Sequence, residues 1–136
     1  MRLAKMNLPK GTLMGLTRDD SNAAYQIRSY QPGQIRVNDV TFTHSIIISP
    51  EKLIEPWQPQ HISELTHEHL ILAADLKPAI LLIGTGDKLE FPPIEIYGDL
   101  INAGIGIEIM DTRAACRTYN ALSAEGRNVA AALIIK

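Results

Sequence analysis

Three short stretches hold residue types that could do chemistry: "MDTRAACRTYN" (residues 110–120), "IGTG" (residues 83–86) and "HISELTHEHL" (residues 61–70). The first holds the only cysteine, Cys116, three positions after Arg113 and immediately before Arg117. A thiol is nucleophilic as its thiolate, which guanidinium groups and a helix N-terminus favour and burial disfavours. A Cys-His pair would need its base from His44, His61, His67 or His69, because no histidine follows residue 70. Without a local base, Cys116 reads first as a small buried packing residue, and thiol catalysis is the minority alternative.

The "IGTG" stretch follows an apolar run and invites comparison with a dinucleotide-binding turn. That turn requires G-x-G-x-x-G opening directly into a helix, and here Leu89 stands at the third glycine position. A Walker loop fails too, since no Gly-Lys-Ser/Thr follows. Gly84, Thr85 and Gly86 nevertheless fall at the carboxyl end of an expected strand, the edge where open α/β sheets place ligands. Asp111, Thr112, Arg113 and Arg117 belong to the start of an expected helix, whose unpaired amides and dipole suit an anion. These seven residues are the candidate ligand-binding set. In the histidine-rich stretch, H-E-x-x-H fails because residue 71 is Ile71, and the Glu64/His67 pair has no second copy to complete a di-iron site. A solvated helix face is the simpler reading. No metal site and no cofactor are expected.

The elements that would position these groups follow from pattern. Residues 1–21 lack sustained periodicity and read as a loosely attached leader, leaving a single α/β domain over 22–136. "YQIRSYQPGQIRVNDVTF" supplies β-prone runs broken by turn signals at Gln31–Gly33 and Asn38-Asp39, an antiparallel meander. "SIIIS" (residues 45–49) suits a strand buried on both faces. Helix and strand then alternate. A helix is capped by Ser63 and stopped by Pro78; the strand "AILLI" follows; a second helix starts near Pro93 and ends at Gly104. "IGIEIM" (residues 105–110) is the next strand, a third helix capped by Asp111 or Thr112 ends at Gly126, and "VAAALII" closes the series. The expected fold is three-layer, a mainly parallel sheet flanked by helices with the meander at one side.

Composition narrows the classes. With 136 residues, 46% hydrophobic and 21% charged, the chain can bury one core. A net charge of −2 with dispersed Lys and Arg argues against nucleic acid. One cysteine excludes an intramolecular disulfide and fits a reducing compartment. No apolar run approaches the roughly 20 residues of a membrane helix, and Lys5, Asn7, Pro9 and Lys10 interrupt any signal-peptide core. A cytoplasmic protein without direct membrane insertion is expected.

The segments "YQPGQIRVNDVTFTHSIIISP", "ILLIGTG" and "GIGIEIMDTRAACRTYNALSAEGRNVAAALI" resemble the small α/β domain family that includes mitochondrial NADH:ubiquinone oxidoreductase complex assembly factor 3 and bacterial and archaeal relatives. Gly84, Gly86, Asp111, Thr112, Cys116, Arg117, Tyr119 and Asn120 match its motif positions. The resemblance covers residues 22–136 and implies a three-layer fold and an assembly role without an established catalytic reaction. It transfers no catalytic residue. The expected function is a non-enzymatic binding or assembly factor for respiratory or membrane-associated complexes, with protein partners and, through an open sheet edge, self-association. The alternative is a small-anion or nucleotide-like ligand site at the strand ends, with Cys116 as a thiol nucleophile.

Overall fold

The computed structural model describes residues 23–136. The expected leader, residues 1–21, lies outside the described residues. Three strands, β1 (Ile27–Gln31), β2 (Gln34–Val37) and β3 (Val40–Phe42), form the antiparallel meander. Its turns fall where the sequence places them, with Gly33 at φ 90° and Asn38 at φ 51°, left-handed conformations that glycine and asparagine tolerate.

The main sheet contains β4 (Ile46–Ile48), β5 (Leu53–Ile54), β6 (Ile80–Thr85), β7 (Gly106–Met110) and β8 (Val129–Ile134), in the order β5-β4-β8-β6-β7. It is mixed: β6 pairs in parallel with β7 and β8, while β4 runs antiparallel to both β8 and β5. The parallel βαβ reading therefore holds for β6 to β8 and not for the passage from β4. The two-residue β5 is too short to give a period. A tight turn creates it, in which Ser49 N donates to Lys52 O (2.8 Å) and Lys52 N to Ser49 Oγ (3.0 Å).

Three helices cover this sheet: α1 (His67–Ala74), α2 (Ile94–Asn102) and α3 (Thr112–Ala124). Ser63 is not the cap of α1. It sits in a 3₁₀ turn, Ile62–Glu64, and Thr66 caps instead through a reciprocal box in which Thr66 N donates to His69 Nδ1 (3.1 Å) and His69 N to Thr66 Oγ1 (3.3 Å). Starting the helix at His67 lets Leu65 be buried ahead of it and turns Leu70 and Ala73 inward together. Gly104 (φ 95°) and Gly126 (φ 76°) end α2 and α3 as expected.

Two apolar cores lie on opposite faces of the sheet. One joins the meander and α3 through Ile27, Ile35, Ala115, Tyr119 and Leu133; the other joins α1 and α2 through Trp57, Leu70, Leu100, Ala132 and Ile134. The central strand β8 is buried at every position and sends alternate residues to the two cores, which explains its unbroken apolar run. The meander is fastened to α3 by side chains. Asn120 Nδ2 donates to Ile27 O (2.7 Å) and its Oδ1 accepts from Ile27 N (3.0 Å); Tyr119 Oη donates to Tyr25 O (2.8 Å). Replacing Asn120 with Ala should cost about 2 kcal/mol, and Tyr119→Phe about 1 kcal/mol, because half-buried backbone groups lose their partners. Urea unfolding monitored by circular dichroism would measure both, and equal, negligible shifts would show that the meander is held by apolar contact alone.

Candidate functional site at the strand-end junction

The "GTG" loop and the start of α3 do meet. The strand β6 delivers Gly84–Gly86 to the carboxyl edge of the sheet, and β7 leads through Asp111 into α3 beside it. Asp111 caps the helix by accepting from Ala114 N (2.8 Å), so of the two expected caps it is the one used. Thr112 does something else. Its buried hydroxyl accepts from Gly86 N (2.8 Å) and donates to Ile134 O, while its own N–H donates to Gly86 O (2.9 Å). One side chain thus joins β6, α3 and β8.

The glycines are there for this approach. A Cβ on Gly84 would stand 2.8 Å from Thr112 Oγ1 and 3.1 Å from Thr112 Cα. Gly86 has φ 104°, and a Cβ there would run into the Lys136 carbonyl oxygen. Thr85 is buried, donates from Oγ1 to Lys88 O (2.6 Å) and accepts from Glu90 N (3.2 Å), shaping the loop that follows. In phosphate-binding loops of this topology the glycine and helix amides point at the ligand. Here the amides of Gly86, Thr112 and Ala114 are all bonded within the protein.

Cys116 lies inside the core stripe of α3 with Ala115 and Tyr119, only 5% exposed. Burial pushes its thiol from 9.0 up to about 12; Arg113 and Arg117 act against that rise and Asp111 adds to it. Desolvation outweighs the two guanidinium groups. Arg113 is exposed, lies over the Tyr30 ring at 5.3 Å and reaches Tyr30 O from Nη1 (3.4 Å). Arg117 is exposed and, among the described residues, carries no ion pair. Neither arginine pairs with Asp111, Glu108 or Asp99.

Thr85 faces a cleft of about 170 Å³ together with His61, Ile62, Asp87, Lys88, Glu90 and Lys136, and α3 contributes nothing to it. A larger groove, about 560 Å³, opens at the opposite end of the parallel strands, between Lys52, Lys77, Arg127 and Asn128. Sequence reasoning had no signal for that groove, since its lining comes from the ends of many separate elements. The histidines have structural neighbours: His69 serves the α1 cap, His67 Nε2 lies 3.9 Å from Asp99, and His44 Nε2 lies 3.3 Å from Glu55. Among the described residues, no three of His, Cys, Asp and Glu gather as a metal site would require.

The fold makes this a three-layer α/β domain with its third helix locked to a Gly-Thr-Gly loop, and comparison with known proteins gives its family. The family described as "Protein of unknown function (DUF498/DUF598)" matches residues 27–134, and the chain belongs to it. It is 33% identical over 124 residues to a "13 kDa major membrane protein" of Francisella tularensis, covering 90% of this chain and 100% of that one. It is 34% identical to NADH dehydrogenase (ubiquinone) 1 alpha subcomplex assembly factor 3 of Danio rerio, covering 90% of this chain and 71% of the relative. A crystal structure of a Bordetella parapertussis protein superposes with a TM-score of 0.79 at 41% identity, covering 84% of this chain and 98% of the other.

Thr112→Val keeps the shape but strands the Gly86 amide and the Ile134 carbonyl, and should cost about 3 kcal/mol in chemical denaturation, against about 1 kcal/mol for Thr112→Ser. For Cys116, iodoacetamide should alkylate the folded protein at least about a hundredfold more slowly than the urea-unfolded chain at pH 7.5. The unfolded chain gives up this thiol proton at lower pH than the folded one. The stability tied to it is therefore intact below about pH 9.0 and declines as pH rises towards 12. Tyr30 and Tyr119, both raised first by burial, add to the same alkaline decline. A melting temperature that stayed flat across that range would contradict the burial argument.

Proposed function

We propose that this chain is a non-enzymatic binding or assembly factor that acts on respiratory or other membrane-associated complexes from the cytoplasm through protein contacts. The observation that carries the reading is the internal use of the Gly86, Thr112 and Ala114 amides and of the Cys116 thiol at the strand-end junction. The loop and helix amides bond to Thr112 and Asp111, and the thiol is buried in its protonated form. The kinship with an assembly factor of complex I and with a protein described as a membrane protein supplies the direction. None of the described helices is long and apolar enough to cross a membrane.

The alternative, a small-anion or nucleotide-like ligand at the strand ends, would have to rely on Arg113 and Arg117, both on the surface, without the loop amides that normally cradle a phosphate. The assembly reading is tested by tagging the full chain at its native locus and resolving extracts on native gels with quantitative mass spectrometry. Enrichment of subunits of NADH dehydrogenase or another membrane complex over a tag-only control is expected. Recovery of the free protein alone across several growth conditions would refute it.

A further inference from the structure

The helix α2 carries more apolar surface than its own fold covers. At about 100° per residue, Ile96, Leu100, Tyr97, Ile101, Ile94 and Gly98 span an arc of about 200°, with Glu95, Asp99 and Asn102 on the remainder. Only half of that arc meets the core: Leu100 is buried and Ile96 and Tyr97 are half-buried, whereas Ile94 is 55% and Ile101 46% exposed. Ile94, Gly98 and Ile101 follow the i, i+4, i+7 spacing of a ridge facing away from the sheet. The loop entering α2 extends it, with Phe91 at 69% and Leu89 at 50% exposure. Such a run is the kind of surface that monomeric proteins usually cover.

The glycine in the ridge has no internal reason. A Cβ on Gly98 would meet only Ile94 Cγ1, at an ordinary 3.6 Å, and its φ is not one that excludes other residues. Glycine weakens a helix interior relative to alanine. What it offers in return is a notch that lets a second helix come close between Ile94 and Ile101. This is the helix-in-groove mode of recognition, with apolar anchors at helical spacing.

Charge identifies the occupant. Residues 61–103, which hold α1, α2 and their loops, contain seven Asp and Glu against two Lys, a net of −5 in a chain whose total is −2. Glu95 and Asp99 are exposed on α2 itself, and in the loop before it exposed Asp87 and Glu90 outnumber the exposed Lys88. An anionic lipid surface would be repelled by that rim. A second copy across a two-fold axis would set Glu95 and Asp99 against their own equivalents. We propose that the outer face of α2, with Phe91 and Leu89, docks an amphipathic helix of a partner protein whose margins carry Lys and Arg. The inference rests on the binding-factor reading above and gives it a surface and a partner chemistry.

The test uses the full chain and a fluorescent amphipathic helical peptide of leucine and lysine, with a leucine and glutamate peptide of the same pattern beside it. Anisotropy should report binding of the lysine peptide that weakens with salt. The Ile94→Ser/Ile101→Ser double variant, and separately Gly98→Gln, should weaken it by about tenfold or more while melting near the wild-type temperature. Val40→Ser, which removes an exposed apolar residue of the meander, should leave it unchanged. Equal binding to the double variant, or equal binding of the glutamate peptide, overturns the proposal. So does preferential binding to phosphatidylcholine/phosphatidylglycerol vesicles, or a sedimenting dimer that Gly98→Gln dissociates. Co-purification separates the two readings. Complexes recovered equally with wild type and double variant would overturn this surface and leave the assembly reading standing; specific peptide binding without any recovered complex would do the reverse.

Discussion

The hydroxyl of Thr112 is the constraint on which the arrangement of this domain depends. A buried hydroxyl has one proton to give and lone pairs to offer, and leaving either unmatched in a dry interior is costly. Here both capacities are used, on a loop amide from one strand and a carbonyl at the end of another, while the same residue's amide opens α3. Three elements that are separate in the chain are thereby fixed in position and rotation. The close contact requires glycine at residue 84, and the path of the loop requires it at residue 86. The same bonds that give α3 its position remove the amides that an incoming anion would use. Firm attachment of the helix and an open phosphate site are competing uses of one set of donors, and this chain uses them for attachment.

Much of the fold was legible because its signals are local. Prolines, glycines and an Asn-Asp pair marked the turns, a β-branched run marked β4, an apolar run marked β6, and the Asp-Thr pair before "RAACRTYN" marked the start of α3. What was not legible depends on distant partners. The antiparallel placement of β4 beside β8 leaves no trace in "SIIIS", because a strand buried on both faces has the same composition in either orientation. Ser63 and Thr66 are both good caps by type, and only the burial of Leu65 and the answering His69 decide between them. At the junction, the sequence brought the right residues to one edge but could not say whether their donors faced outward or each other. The burial of Cys116 follows from the meander lying over α3, a contact between residues some ninety positions apart.

The division of the molecule into two faces bears on how a protein of this family can act. The meander face is spent on holding α3, through Asn120, Tyr119 and the Tyr30–Arg113 stack. The α1/α2 face keeps an apolar ridge, and residues 61–103, which build it, carry a net charge of −5. Two cores hold that charged, ridged surface rigid.

The strand β8 follows every other described strand in the chain, yet it occupies the centre of the sheet, between β4 and β6. Before it arrives, the β4–β5 hairpin and the β6–α2–β7 unit have no strand in common, and each core lacks its middle wall. During synthesis the emerging chain therefore holds two half-sheets with apolar faces open to solvent, and completion of the domain waits on its final strand. Long-range pairing of this kind makes folding late and cooperative, and it exposes the unfinished protein to capture by chaperones or by its neighbours. The chain thus passes through a hazardous interval, ended by the insertion of six residues.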